Sequence, residues 1–291
     1  MVIPRVLVMR TTGTNCENET AYAFNKVGAD ADIVHINTLI KGSRPEDGRR
    51  FSLEDYHILA IPGGFSHGDY IKAGKVLAEY IKGPLKESIQ QFVDDGKPII
   101  GICNGFQGLV QSGLLPNGVL GNQTSSLTYN DSQRFGCRWV KLTVPTNNSI
   151  WLKGIESIDV PVANAEGKYV ASEEELEKLI RNGQVALQYV DIENNPTQDF
   201  PANPSGSMNA IAGVSDPSGT ILGLMPHFER YNHPMNHNLA TLQKVASQPY
   251  IDKKDSAVQR RLEIAGTLPE EGMGLQIFRN GVDYVIENLL R

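Results

Sequence analysis

The sequence predicts an α/β protein, a mostly parallel central sheet flanked by helices, on three observations. Short runs of β-branched and other apolar residues recur at Val6–Met9, Ile33–Ile36, Ile58–Ile61 and Ile99–Cys103. Segments of helical spacing lie between them, and glycines stand where those segments stop. Continuous apolar runs mark strands buried on both faces, which a parallel sheet covered by helices provides.

Taken in order, residues Glu17–Val27 place Ala21, Phe24 and Val27 on one face, and Gly28 follows as a left-handed helix end requires. Pro84–Asp95 repeats the pattern. There Pro84 suits a first helical turn, Leu85, Ile89, Phe92 and Val93 form the apolar face, and Gly96 ends it. Later strands of mixed type are expected at Arg138–Val144, Val185–Val190 and Ile221–Met225, joined by turns rich in Asn, Pro and Gly. No internal repeat or long linker interrupts a single domain over residues 1–291. Between Tyr231 and Gly272 the pattern weakens, and only Ser256–Ala265 reads as helical, so this stretch is expected to be an insertion. An amphipathic helix then spans Leu275–Leu290.

With 291 residues and 40% hydrophobic composition the chain can bury its core without metals or disulfides. Cys16, Cys103 and Cys137 are odd in number, far apart and form no CxxC pair, so neither a disulfide framework nor a thiolate zinc site is suggested and a reducing cytoplasm fits best. Val2–Met9 is broken by Pro4 and Arg5 and is too short for a signal core, and no later run reaches membrane length. A net charge of -6 opposes loose binding to a phosphate backbone, so neither nucleic acid nor membrane is expected as a partner. The one basic stretch, Lys41–Arg50 (KGSRPEDGRR), carries its own acids and reads as a solvated loop.

The segment GKPIIGICNGFQGLVQSGLL runs a buried strand into Cys103 and at once into a helix, about Phe106–Ser112. A nucleophile on so sharp a turn needs small neighbours, here Gly101 and Gly105. The helix N-terminus aims its dipole at the sulfur and favours the thiolate, and the Asn104 N–H is placed as an oxyanion donor. By itself a cysteine at a strand end is an ordinary buried residue; its partners decide. ILGLMPHFER ends a further apolar run on His227 and Glu229. In an extended segment residues two apart project to one side, so Glu229 orients the His227 ring and the pair serves Cys103 as base and orienter. In AIPGGFSHGD the strand breaks into Gly63 and Gly64, and either Gly64 or Phe65 supplies a second oxyanion donor. Cys16, in GTNC, is a rival nucleophile without a glycine elbow, and Asn15 before it is a candidate helix cap.

Together these elements resemble the class I, triad-type glutamine amidotransferases. Gly101, Cys103, Gly105 and Gln107 match their G-x-C-x-G-x-Q motif, and His227 with Glu229 matches their His-x-Glu. More narrowly, GTNCENETAYAF, PGGFSHGDYIKAGKVLA, FGCRWV, GQVALQYVD and LGLMPHFER are similar to the glutaminase subunits of phosphoribosylformylglycinamidine synthase, as is the ending IFRNGVDYVIENLL. The resemblance implies a flavodoxin-like fold and a Cys103–His227–Glu229 triad. It also implies glutamine or oxyanion contacts from Gly63, Gly64, Phe65, Asn104 and Gln107. The implied reaction is hydrolysis of glutamine, with ammonia passed to a large synthetase subunit that aminates formylglycinamide ribonucleotide in purine synthesis; a small third subunit often bridges the two. No G-x-x-x-x-G-K-[ST] loop is present, so ATP and Mg are expected on the synthetase and no cofactor or metal on this chain. Two rival functions share these motifs: a glutaminase for another synthetase or a stand-alone γ-glutamyl hydrolase, and a silent regulatory module of the same fold.

The resemblance departs at three places. Asn164-Ala165-Glu166-Gly167 stands where the family reads H-G-E-G, Phe228 replaces the usual Pro between His and Glu, and residues 231–272 are absent from shorter subunits. Phe228 is expected to leave the strand end less rigid than Pro would. His227, His233 and His237 also cluster around the start of that insertion, but no cysteine or second-shell carboxylate pattern accompanies them as a metal site would need.

Overall fold

The computed structural model describes residues 2–44, 46–246 and 269–290. The helix expected at Ser256–Ala265 lies outside these residues. The first half alternates strand and helix: β1 (Arg5–Arg10), α1 (Glu17–Lys26), β2 (Asp30–His35), α2 (Ile36–Lys41), β3 (Ile58–Ile61), α3 (Lys75–Lys82), α4 (Lys86–Asp94), β4 (Ile99–Ile102) and α5 (Asn104–Gln111). The second half adds β5 (Ser125–Thr128), β6 (Gly136–Thr143), β7 (Ser157–Asn164), β8 (Lys168–Ala171), α6 (Glu173–Arg181), β9 (Val185–Tyr189), β10 (Ile211–Ser215) and β11 (Ile221–Leu224). Two helices follow, α7 (Ala240–Ala246) and α8 (Leu275–Asn288).

Nine strands form one sheet in the order β2-β1-β3-β4-β11-β10-β9-β6-β7, and β5 pairs with β8 apart from it. The five strands from β2 to β11 are parallel, and the next four pairings are antiparallel. Every residue of β3, β4 and β11 is buried, as their unbroken apolar sequence requires. The carboxyl ends of these three neighbours therefore meet at the centre of the sheet, where ligands of open α/β sheets bind.

Two expectations change. Ile36 begins a helix instead of ending a strand, because the His35 side chain accepts the Asn37 N–H and caps α2. Asn15 does not cap α1; the boundary residue is Cys16, and no side chain caps that helix end. The Lys41–Arg50 stretch closes on itself through a Ser43–Arg50 bridge, with Arg44 and Arg49 each 4.9 Å from the Phe51 ring centre.

Helix α8 ties the distant parts together. Phe278 meets Phe24 of α1 edge-on at 4.9 Å, and buried Asn280 donates to the carbonyls of Trp151 (2.7 Å) and Lys153 (2.8 Å). Its own start is clamped: a Cβ on Gly274 would lie 2.0 Å from the Phe228 carbonyl oxygen, so only glycine allows that approach. Among the described residues, no helix is long and apolar enough to cross a membrane.

Candidate active site

Cys103 stands between β4 and α5 with φ 52 and ψ -105, a conformation that an L residue holds only when its surroundings impose it. The surroundings are visible. Its N–H donates to the Leu224 carbonyl of β11 at 2.7 Å, and its Sγ faces the Ala163 carbonyl of β7 at 3.7 Å. A Cβ on Gly105 would lie 1.9 Å from the Ile61 oxygen, and one on Gly101 would lie 2.9 Å from the Gly105 carbonyl. Glycine is thus required on both sides, because helix α5 starts pressed against β3.

His227 and Glu229 follow β11, but the geometry expected from an extended segment is corrected. After His227 the chain closes into a 3-10 turn, Phe228–Arg230, held by Arg230 N–H to the His227 carbonyl at 3.3 Å and Tyr231 N–H to that of Phe228 at 3.0 Å. The turn still brings ring and carboxylate together, with Nδ1 and the Glu229 Oε1 at 2.5 Å and both side chains buried. Phe228 is itself fully buried, so packing fixes this segment where a proline ring does not. Nε2 is buried without a hydrogen bond among the described residues. Gly63 occupies the gap between the ring and Cys103: a Cβ there would meet His227 Cε1 at 2.7 Å and Cys103 Cβ at 3.3 Å. Burial works against a proton on His227, but the charge of Glu229 and then the Cys103 sulfur overcome it and hold the ring well above its ordinary value.

A cavity of 340 Å³ opens over the sulfur, lined by Asn15, Gly64, Phe65, Cys103, Phe135, Cys137, Ala163, His227 and Arg230. Its size suits a small molecule. Phe65 lines it, yet its N–H is consumed by the Gly13 carbonyl at 2.7 Å and does not face the cavity as a free donor. Asn104 is the first residue of α5, so its N–H has no partner within the helix. Gly63, Asn104 and Gln107 are buried behind the cavity wall.

Sequence reasoning did not find the network behind that wall. Asn104 Nδ2 donates to both Asp69 oxygens at 3.1 Å and to Gln107 Oε1 at 3.0 Å, and its Oδ1 accepts the Ser66 N–H at 3.0 Å. Gln107 Nε2 donates to the Glu166 carbonyl at 2.7 Å, so both ends of its amide are engaged inside the protein. Asn164 and Gly167 are held by one residue, Asn130, which donates to the Asn164 carbonyl at 2.9 Å and accepts the Gly167 N–H at 3.0 Å.

Cys16 lies closer to this centre than its sequence context predicts. Its buried Sγ is 3.9 Å from His227 Nδ1 and accepts from Arg230 Nη2 at 3.2 Å. Potential ligand atoms of Cys16, His227 and Glu229 lie within 4.8 Å of one another. They do not fit a metal: Nδ1 is bonded to Glu229, and the guanidinium sits on the sulfur where a cation would have to bind. The other histidines have separate tasks. His233 caps its own turn, and His237 packs edge-on against Trp139, 4.7 Å between ring centres.

The fold and this arrangement are those of a glutamine amidotransferase, and the CobB/CobQ-like glutamine amidotransferase domain matches residues 3–285. The phosphoribosylformylglycinamidine synthase subunit PurQ of Methanococcus maripaludis is 41% identical over 286 residues, covering 97% of this chain and 98% of its own. That of Dehalococcoides mccartyi is 40% identical over 282 residues, covering 96% and 97%. Among solved structures, PurLQS from Thermotoga maritima has a chain that matches with a TM-score of 0.64 at 27% identity, over 98% of this chain and 100% of that one. A glutamine amidotransferase from the same organism, 17% identical with a TM-score of 0.51 over 99% and 100%, shares the fold. The chain belongs to the PurQ family of phosphoribosylformylglycinamidine synthase subunits.

Proposed function

We propose that this chain is the glutaminase subunit of a phosphoribosylformylglycinamidine synthase, and that Cys103, His227 and Glu229 carry its chemistry. The observation that supports the site most directly is the buried His227–Glu229 pair facing Cys103 across Gly63. In this reading the Cys103 thiolate attacks the side-chain amide of glutamine, and the N–H groups of Gly64 and Asn104 hold the oxyanion. His227 protonates the leaving ammonia and then takes a proton from the water that releases glutamate from the thioester, while Glu229 holds the ring in one tautomer. Ammonia passes to the large synthetase subunit, where ATP and Mg drive its transfer to formylglycinamide ribonucleotide. The setting is cytoplasmic, consistent with three free cysteines.

The test is glutamate release from glutamine by the chain alone and with the large synthetase subunit of the same organism plus its substrates. Release is expected to rise with the partner and to vanish in Cys103→Ala, which keeps ammonia-dependent synthesis. Cys103-dependent release indifferent to the partner would remove the purine assignment, and glutamine use retained by Cys103→Ala would remove the nucleophile.

A further inference from the structure

The loop from Phe65 to Gly74 connects the buried network to the surface. His67 (φ 54), Gly68 (φ 73), Asp69 (φ 48) and Gly74 (φ 71) all have left-handed backbones, and two of them are not glycine. Such residues keep this conformation only when their contacts fix it. On the inner side the contacts are specific: the Asp69 carboxylate accepts from Asn104 Nδ2 and, at 3.1 Å, from the Gly74 N–H, and the His67 N–H donates to the Thr12 carbonyl at 2.7 Å. The loop therefore sets the position of Asn104, whose N–H faces the developing oxyanion.

On the outer side the loop presents large apolar groups to water. Tyr70 is 92% exposed and Ile71 75%, and at the cavity mouth Phe65 and Phe135 are half exposed with ring centres 6.2 Å apart. Adjacent exposed Tyr and Ile on a fixed loop are the composition of an interface core. The occupant follows from the product. Ammonia released into neutral water is protonated and lost as a nucleophile, so the body that covers this mouth is the one that consumes ammonia.

We propose that the Ser66–Gly74 loop couples the two subunits: the synthetase subunit docks on Tyr70 and Ile71, and Asp69 transmits that contact to Asn104. The inference rests on the function proposed above. Asp69 is a positioning residue, acting on the reaction through the Asn104 side chain.

Two variants test it, Tyr70→Ser with Ile71→Ser, and Asp69→Asn, each assayed alone and with the large synthetase subunit of the same organism, ATP and formylglycinamide ribonucleotide. The double variant should hydrolyse glutamine alone at the wild-type rate but need about tenfold more synthetase subunit for half-maximal stimulation. Asp69→Asn should bind the partner normally and, at saturating partner, lose about tenfold in kcat for glutamine with KM nearly unchanged. Ammonia-dependent synthesis should be unaffected by either. Wild-type stimulation of the double variant overturns the docking site, and a change in KM without kcat for Asp69→Asn overturns the relay. A wild-type chain that the synthetase subunit fails to stimulate overturns the proposed function and this inference with it.

Discussion

Gly105→Ala should disable the enzyme more severely than a single methyl group implies. The added Cβ would lie 1.9 Å from the Ile61 oxygen and 2.8 Å from its carbon, both backbone atoms of β3. Contacts under 3.0 Å do not occur for real Cβ atoms, so α5 would have to retreat from the sheet by more than an ångström. No side chain can rotate away to absorb this. Forced repacking of this kind costs about 3 kcal/mol, and a chain of this size loses roughly 2–4 °C in Tm per kcal/mol, so calorimetry should find Tm lower by about 6–12 °C. The same retreat moves Cys103 and Asn104 away from His227 and Gly64, and a misplacement near 1 Å costs about a hundredfold in rate. Glutamate release at 25 °C, below the transition, should therefore fall by that order. Gly28→Ala is the control: its φ of 94 is left-handed, a strain Gly105 does not carry, but nothing lies within 4 Å, so it should cost about 1 kcal/mol and leave turnover intact. If Gly105→Ala behaved like Gly28→Ala, the close approach of α5 to β3 would not be what builds this site.

Cys16→Ala should retain activity within about tenfold of wild type, since it removes a partner of Arg230 and a long contact to His227 but leaves the His227–Glu229 bond, and a glutamine-like diazoketone should still label Cys103 alone. Loss of all activity in Cys16→Ala, with the diazoketone found on Cys16 in the unsubstituted chain, would transfer the nucleophile there. Replacing His227 and Glu229 together by Gln removes a pair whose His is held above its unfolded value of 6.5. Its stabilisation is full below that pH and disappears as pH rises through the folded value, so the stability gap to wild type should narrow on the alkaline side; a gap that widens with pH would refute the ion pair. Asn280→Ala orphans the Trp151 and Lys153 carbonyls and should lower the denaturation free energy by about 2–3 kcal/mol with unchanged glutamate release at 25 °C. Urea titration reads it, and an unshifted midpoint would mean that helix α8 is held without this residue.

The parts legible in the sequence are those whose cause is local. Three apolar runs announced β1, β3 and β4 because burial on both faces leaves no polar alternation, and Gly101, Cys103 and Gly105 announced the elbow because the turn itself demands small residues. Where partners are distant in the chain, the sequence was silent. Nothing near Asn104 indicates Asp69, 35 residues earlier, or the Glu166 carbonyl that takes Gln107, 59 residues later. The Phe65 N–H looked available because its acceptor, Gly13, belongs to another loop. The His227–Glu229 spacing fits both a strand and a 3-10 turn, and only the packing of Phe228 against the start of α8 decides for the turn. Strand β2 was read short at its beginning because Asp30-Ala31-Asp32 is polar; it lies at the sheet edge, where polar residues are tolerated.

The clamp at Gly274 also orders events in time. While the chain is being translated, the elbow and the oxyanion loops emerge well before residues 272–288, and the His227 turn stays without its buttress for a period on the order of seconds. A nascent or prematurely terminated chain thus carries the Cys103 turn without the contact that holds the His227 turn. Docking of this helix is therefore a late event of synthesis, after every strand of the central sheet has emerged.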